Sequence, residues 1–384
     1  MNPHPEPAGS TDLKDRACAV VDDIGDELVA ISHDIWEHPE LGFGEHHAHE
    51  ALCSSLEAHG LHTTRSAYGL ETAFEATAGD SGPEIAVLCE YDALPGIGHA
   101  CGHNIIAAAG LGAGIAAAAV ASDAGGRLRV LGTPAEEGGG GKVFMAREGA
   151  LDGLSAAMMV HPADHDLSQM DCIAIQQLFV TYQGRAAHAA AAPEQGVNAL
   201  DAAVLGYMGI AALRQHIGER DRIHGVFTNG GDKPNIVPAE ASMHWYVRSR
   251  DLASLAELQE RVLAALQAGA TATGASMTYE WHDPAYADML TDDRLLAMYA
   301  HNAARIGRSL DGSDASPVVG STDMGNVSHE VPSIHPMIAV APPGVAIHTP
   351  EFAEHARSPA GDRAVLDGAK AMACTVIDAW EAWG

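Results

Sequence analysis

The sequence predicts an α/β protein: a mostly parallel sheet covered by helices, with a second domain of ferredoxin-like β-α-β-β-α-β order set into the chain. Three observations predict it. Short apolar runs alternate with helical stretches between residues 72 and 160. From Ile173 to Trp281 the pattern changes to alternating strands interrupted by two amphipathic stretches. From Asp292 the first pattern resumes, so the outer domain is expected from both ends of the chain, as 1–172 and 286–384, around an insertion at 173–285. A chain of 384 residues is long enough to bury two cores.

Taken in order, residues 1–15 carry prolines and charges and no apolar run of signal-peptide length, and they read as a disordered leader. The pattern from Thr11 to Gly60 is helical, first through an apolar period at Val20, Ile24, Leu28, Ile31 and Ile35. His38-Pro39-Glu40 breaks it, and a second helix ends at Gly60. Strand signals follow at 72–76 and 85–89, then an Ala- and Gly-rich helix at 105–121. That helix is too weakly apolar for a membrane span, which needs about twenty strongly apolar residues, so it is expected to be buried. A turn at 123–126, a strand at 128–131, a glycine-rich loop at 133–141 and an apolar run at 156–160 complete this part.

The insertion begins with a roughly alternating strand through Ile173, Ile175, Leu178, Val180 and Tyr182. A helix at 196–216, strands at 223–227 and 241–247, a helix at 252–266 and a strand at 276–281 follow. Beyond it, a helix through Leu296, Met298 and Ile306, a strand at 337–340 and a closing helix at 360–380 return the chain to the first domain.

The formal net charge is −30, so no basic surface exists to neutralise nucleic-acid phosphate or an anionic membrane, and neither is expected as a partner. Six cysteines without paired spacing read as reduced thiols in a cytoplasmic protein.

Side chains able to do chemistry gather where strands end, as sites do in open α/β sheets. Cys101 and His103 flank Gly102, which allows the sharp turn that brings a thiolate and an imidazole to one centre. Glu136 and Glu137 precede the run of glycines. Adjacent carboxylates point in different directions, so one can hold a metal while the other faces a water as base. His161 closes the run at 156–160, and His348 follows the strand at 337–340. Singly, each has an ordinary structural explanation. Together with Cys101 and His103 they form a mixed set of sulfur, nitrogen and oxygen donors sufficient for two metals.

The ordered motifs His38-Pro-Glu40, Glu90-Tyr-Asp-Ala-Leu-Pro95, Gly98-His-Ala-Cys-Gly-His-Asn104, Thr133-Pro-Ala-Glu-Glu137, Gly184-Arg-Ala-Ala-His188, Ser321-Thr-Asp-Met-Gly-Asn326 and His348-Thr-Pro-Glu-Phe352 span nearly the whole chain. With them the sequence resembles the dinuclear-metal amidohydrolases that include aminoacylases and carboxypeptidases, in the cysteine-containing branch of aminobenzoyl-glutamate hydrolases and related dipeptidases. The resemblance implies a zinc-peptidase-like fold whose inserted domain serves as lid and dimerisation element. It implies that Cys101, His103, Glu137, His161 and His348 hold two divalent ions, that Glu136 is the general base, and that Asp92 orients a ligand. His188 would reach a partner subunit's active site in a homodimer and polarise the scissile carbonyl.

Candidates for a substrate carboxylate are Asn235, Arg248, Ser321, Thr322 and Asp323; for Arg248, an exposed structural role is an equal alternative. Glu90 departs from the broader family, which places a metal-binding histidine there. A thiolate ligand favours zinc, with manganese or cobalt as the other candidates. The activity implied is hydrolysis of an amide bond in an N-acyl amino acid, a dipeptide or an aminobenzoyl-glutamate. Cleavage of another C–N bond, such as an N-carbamoyl group, and non-catalytic binding are the alternatives.

Overall fold

A computed structural model describes residues 8–311 and 319–384, and they fall into two compact units, 1–171 with 289–384 and 172–288. In the first unit, α1 (Ala8–Asp23) and α2 (Gly25–Glu37) run into the break at His38-Pro39, and α3 (His46–Ala58) follows. Residues 8–15 are helix, which corrects the expectation of a leader through residue 15 and agrees with the helical pattern read from Thr11. The reason is packing: α1 lies against the C-terminal helix, with Lys14 fully buried and ion-paired to Asp378 at 2.6 Å. Residues 1–7 of the expected leader lie outside the described residues.

Next come β1 (His62–Arg65), β2 (Phe74–Ala78), β3 (Glu84–Cys89), α4 (His103–Ala118), β4 (Arg127–Gly132), α5 (Gly141–Arg147), β5 (Ala156–Met158) and β6 (His161–Ala163). The second unit contains β7 (Ala174–Gln183), α6 (Ala199–Leu213), β8 (Arg222–Asn229), β9 (Glu240–Ser249), α7 (Leu252–Thr273) and β10 (Ser276–Trp281). The chain re-enters the first unit as α8 (Asp293–Arg305), α9 (Met324–Ser328), β11 (Ser333–Ile334), β12 (Met337–Ala339), α10 (Pro350–His355) and α11 (Pro359–Trp383).

The main sheet has the order β1-β2-β4-β3-β5-β11. Its β4-β3-β5-β11 portion is parallel, and β1 and β2 add antiparallel pairings at one edge. The edge strand His-Thr-Thr-Arg has no apolar alternation, so nothing in its sequence announced it. β3 is buried along its whole length, as a central parallel strand covered on both faces must be. A separate short parallel pair, β6 with β12, starts at His161.

The Ala- and Gly-rich α4 lies in the middle of this unit, with residues 103–117 all buried. Its composition follows from crowding. A Cβ on Gly112 would lie 2.6 Å from Leu28 of α2, and one on Gly110 would lie 2.6 Å from Cys89 Sγ and 2.9 Å from the Leu88 carbonyl of β3. Small residues let strand and helices close on α4 from several sides. Among the described residues no helix is long and apolar enough to cross a membrane.

In the second unit the sheet runs β10-β7-β9-β8, antiparallel throughout. Ala241, Met243, Trp245 and Val247 of β9 are buried with Leu178, Val180 and Tyr182 of β7 against residues of α6 and α7. This is the expected split β-α-β-β-α-β order.

Gly110→Ala tests the crowding. Alanine gains about 1 kcal/mol of helix propensity, but overpacking costs about 1–3 kcal/mol, so the variant should be less stable by about 1 kcal/mol. A thermal scan in which its midpoint equals or exceeds wild type would contradict this close packing of α4 on β3.

Candidate active site

β3 ends at Cys89 and delivers Glu90, Tyr91 and Asp92 into the interior of the first unit; Glu90 is fully buried and Asp92 1% exposed. Asp92 uses both oxygens. Oδ1 accepts from His103 Nδ1 at 3.0 Å, and Oδ2 accepts the Glu137 backbone N–H at 2.9 Å. The Asp92 carbonyl also accepts from His103 Nδ1, at 2.9 Å. Burial works to raise the Asp92 pKa, but the positive charge and hydrogen bond of His103 prevail and hold it below the ordinary value. With Nδ1 donating, His103 turns Nε2 away from Asp92, and this nitrogen is buried without a hydrogen-bond partner among the described residues.

Around it stand the other donors. Ligand atoms of Cys101, His103 and His161 lie within 4.8 Å of one another, as do those of Cys101, Glu137 and His348, and those of His103, Glu136 and Glu137. Cys101 Sγ is 3.5 Å from both His161 Nε2 and His348 Nε2. His161 donates Nδ1–H to the Pro162 carbonyl at 2.8 Å, which leaves the Nε2 lone pair facing Cys101. His348 Nε2 is 3.3 Å from Glu137 Oε1. The backbone of His348 is left-handed at φ 64°, and its N–H is tied to the Ala100 carbonyl at 2.8 Å. Two overlapping donor groups therefore share Cys101, and a third joins His103 and Glu137 to Glu136.

The electrostatics suit cations. Burial pushes the Cys101 thiol up, and burial with the neighbouring His103 lowers His161 to about 4. Burial would lower His103, but Cys101 and Asp92 draw positive charge to it strongly enough to raise it well above its usual value. Burial would raise Glu137; the hydrogen bond from His348 and the charge of His103 bring it below the usual carboxylate range. An orphaned imidazole nitrogen, a buried thiol and ionised carboxylate oxygens fit a pair of divalent ions.

Glu136 stands beside this cluster, 8% exposed, with Oε2 3.9 Å from His103 Nε2. Burial first, then the charges of Glu90 and Glu137, push its carboxyl well above the ordinary value.

The sequence did not announce a buried ion network behind Glu136. Lys142, 2% exposed at the start of α5, places Nζ against Glu90 and 2.5 Å from Asp323 Oδ1, and its N–H donates to Asp323 Oδ2 at 3.0 Å. The one available signal was a lysine directly after four glycines. Asp323 thus spends both oxygens on Lys142, and Thr322 Oγ1 accepts the Met324 N–H at 3.2 Å; of this loop's candidates only Ser321 is more than marginally exposed. His335 was also missed: it is buried, with its ring 5.3 Å from that of His161.

The remaining candidates belong to the second unit. His188 is exposed, and its Nδ1 accepts the N–H groups of Ala190 and Ala191, at 3.3 and 3.1 Å, which puts the ring proton on Nε2. Asn235 lies on the adjoining segment and accepts the Ala189 N–H at 3.1 Å through its backbone carbonyl. Arg248 pairs with Ile175 near the start of β7, whereas the His188 loop follows Gln183 at its other end. Eight residues of strand separate the two by about 26 Å, so Arg248 is not brought to His188 and Asn235. It is half-buried over the Tyr246 ring, and burial lowers its pKa.

A parallel-sheet domain with mixed sulfur, nitrogen and oxygen donors for two divalent ions, and a separate buried carboxylate beside them, defines a metal-dependent hydrolase of amide bonds. The chain belongs to the peptidase family M20/M25/M40, whose pattern matches residues 86–378. It is 38% identical to the Xaa-Arg dipeptidase of Mus musculus over 382 residues, covering 95% of this chain and 88% of that protein. It is 30% identical to a p-aminobenzoyl-glutamate hydrolase chain of Escherichia coli over 425 residues, covering 91% and 88%. A dinuclear-metal-binding peptidase of the same family from Bacillus subtilis superposes with a TM-score of 0.74 at 20% identity, over 94% of this chain and 99% of that one, and shares the fold.

Lys142→Met leaves two buried carboxylates without their cation, at a cost of about 3–5 kcal/mol. Burial, opposed by Lys142, sets Asp323 at about 6 against an ordinary 3.8, so ionising it lowers stability as pH rises across that interval. Without the ammonium its pKa rises further and the loss extends to higher pH. The melting deficit of the variant should therefore be larger at pH 8 than at pH 5; an equal deficit at both would contradict the network's charge state.

Proposed function

We propose that this protein hydrolyses the peptide bond of a dipeptide with a basic C-terminal residue, with Glu136 as general base and acid. The observation that carries the reading is Glu136 itself: a buried carboxylate with raised pKa, beside the donor cluster. When bound, the ions acidify the attacking water and polarise the carbonyl. Glu136 takes the water's proton and returns it to the departing nitrogen. Asp92 keeps His103 and Glu137 in place, and Lys142 holds Glu90 and Asp323 behind them.

Cys101, His103, Glu137, His161 and His348 are proposed as the ligands, with zinc preferred over manganese or cobalt because one donor is a thiolate. The Xaa-Arg dipeptidases support the dipeptide, and the E. coli hydrolase supports p-aminobenzoyl-glutamate as the second substrate to assay. A net charge of −30 favours encounter with a cationic dipeptide over an anionic glutamate conjugate. Free thiols throughout support a reducing compartment such as the cytoplasm.

A homodimer through the second unit completes the proposal, with His188 supplied by the partner to polarise the carbonyl and Ser321 or Asn235 contacting the substrate carboxylate. Support comes from the edge strand β8, which exposes Val226 and Phe227. Tyr207 of α6 stacks on Phe227 at 5.8 Å, and Val204, Leu205 and Met208 of the same helix are exposed. An unpaired edge flanked by exposed apolar side chains is a surface suited to pairing with a second copy.

Glu136→Ala should lower kcat by about 10²–10⁴ while about two ions per chain remain by elemental analysis; wild-type turnover with ions bound would remove Glu136 from the mechanism. Subunit mixing tests the dimer. If Glu136 and His188 of one site come from different chains, Glu136→Ala and His188→Ala proteins are each inactive, yet refolding them together should restore about a quarter of wild-type activity. No recovery in a confirmed mixed dimer would place His188 outside the shared site.

A further inference from the structure

The catalytic turn is held in a conformation its own residues disfavour. Ala135, directly before Glu136, has φ 59°, a left-handed backbone that an L-residue with a Cβ enters only when its surroundings impose it. Within the turn its carbonyl accepts the Gly140 N–H at 2.8 Å, and its N–H is held from 90 residues upstream. Glu45, at the head of α3 and fully buried, accepts the Ala135 N–H at 2.8 Å through Oε1 and the Thr72 hydroxyl at 2.9 Å through Oε2. The segment that carries Glu45 is itself fitted to the turn: Phe43 is left-handed at φ 64°, and a Cβ on Gly42 would lie 2.9 Å from that of Ala135. On the far side of Glu136, Asp92 holds the Glu137 N–H. The base is thus bracketed by two backbone N–H groups, each anchored on a buried carboxylate.

We propose that Glu45 is a positioning residue for the hydrolytic reaction: by holding the Ala135 N–H it keeps the turn left-handed and so aims the Glu136 carboxylate at the attacking water. The proposal rests on the assignment of Glu136 as base. Glu45 touches no donor of the metal cluster, and Asp92 anchors Glu137 independently. Loss of Glu45 should therefore disturb the base and spare the ions. Its function is as an acceptor, so a neutral amide can replace it: a glutamine oxygen accepts from Ala135, and the Thr72 hydroxyl rotates to accept from the glutamine NH₂.

The test measures kcat, KM and metal content of the full-length enzyme with an alanyl-arginine dipeptide and p-aminobenzoyl-glutamate, on whichever the wild type hydrolyses. Glu45→Ala should lower kcat roughly 10- to 100-fold with KM within about threefold and two ions retained, the scale expected when a catalytic group is misplaced by about 1 Å. Glu45→Gln should stay within about threefold of wild type in kcat. Glu45→Ala combined with Ala135→Gly should recover most of the loss, because glycine adopts positive φ without the steric cost. Should Glu45→Ala not fold, Glu45→Met fills similar space, accepts no N–H···O bond and carries the same expectation. The proposal is overturned by wild-type kcat in folded Glu45→Ala, by a Glu45→Gln enzyme as impaired as Glu45→Ala, or by loss of the ions with Glu45. Glu136→Gln run alongside separates the two readings. If it is inactive while Glu45→Ala is normal, only the positioning role fails; if it is fully active, the base assignment fails and the positioning role with it.

Discussion

Asp92 joins three parts of the first unit through one carboxylate. It sits just past the end of β3, orients His103 at the start of α4 and fixes Glu137 in the turn after β4. None of these bonds competes with water, because Asp92 and His103 are buried, and in that environment a charge-assisted hydrogen bond is both strong and costly to leave unmade. The direction of His103 Nε2, and the place of Glu137 relative to His348, follow from that anchoring.

Concentrating carboxylates in a dry space creates a problem of charge. Glu90, Asp92, Glu136 and Asp323 are all buried within one region of the first unit. Lys142 answers part of it by pairing with Glu90 and Asp323, and the donor cluster answers the rest by its affinity for divalent ions. The same arrangement accounts for the opposed behaviour of the adjacent glutamates. Glu137, with His348 and His103 against it, is held ionised; Glu136, facing Glu90 and Asp323, favours its proton. Two neighbours in sequence differ in charge because the fold surrounds them with different groups.

Packing carries this chemistry. The glycines and alanines of α4 let β3 approach closely on one side and α2 and α11 on others, which brings the strand end with Glu90 and Asp92 within reach of the helix start with His103. A bulkier helix would fill the same volume with its own side chains and separate the two.

Elements with periodic patterns and donors of rare type were legible in one dimension. β3, α4, β4 and β5, the alternating strands of the second unit and the set Cys101, His103, Glu136, Glu137, His161 and His348 could be marked in one dimension, since burial on two faces demands continuous apolar runs and metal chemistry demands particular side chains. The sequence did not mark β1, a polar edge strand whose structure comes from pairing with β2, or α5, a short helix hidden behind four glycines, and it left residues 8–10 outside the first helix, which packs on α11. That Lys142 meets Glu90 and Asp323, that Asp323 turns inward and that Glu45 reaches Ala135 follow from the folded chain alone. The Glu45 and Asp323 contacts join positions 90 and 181 apart, and a single polar residue carries no periodicity from which its partner could be read.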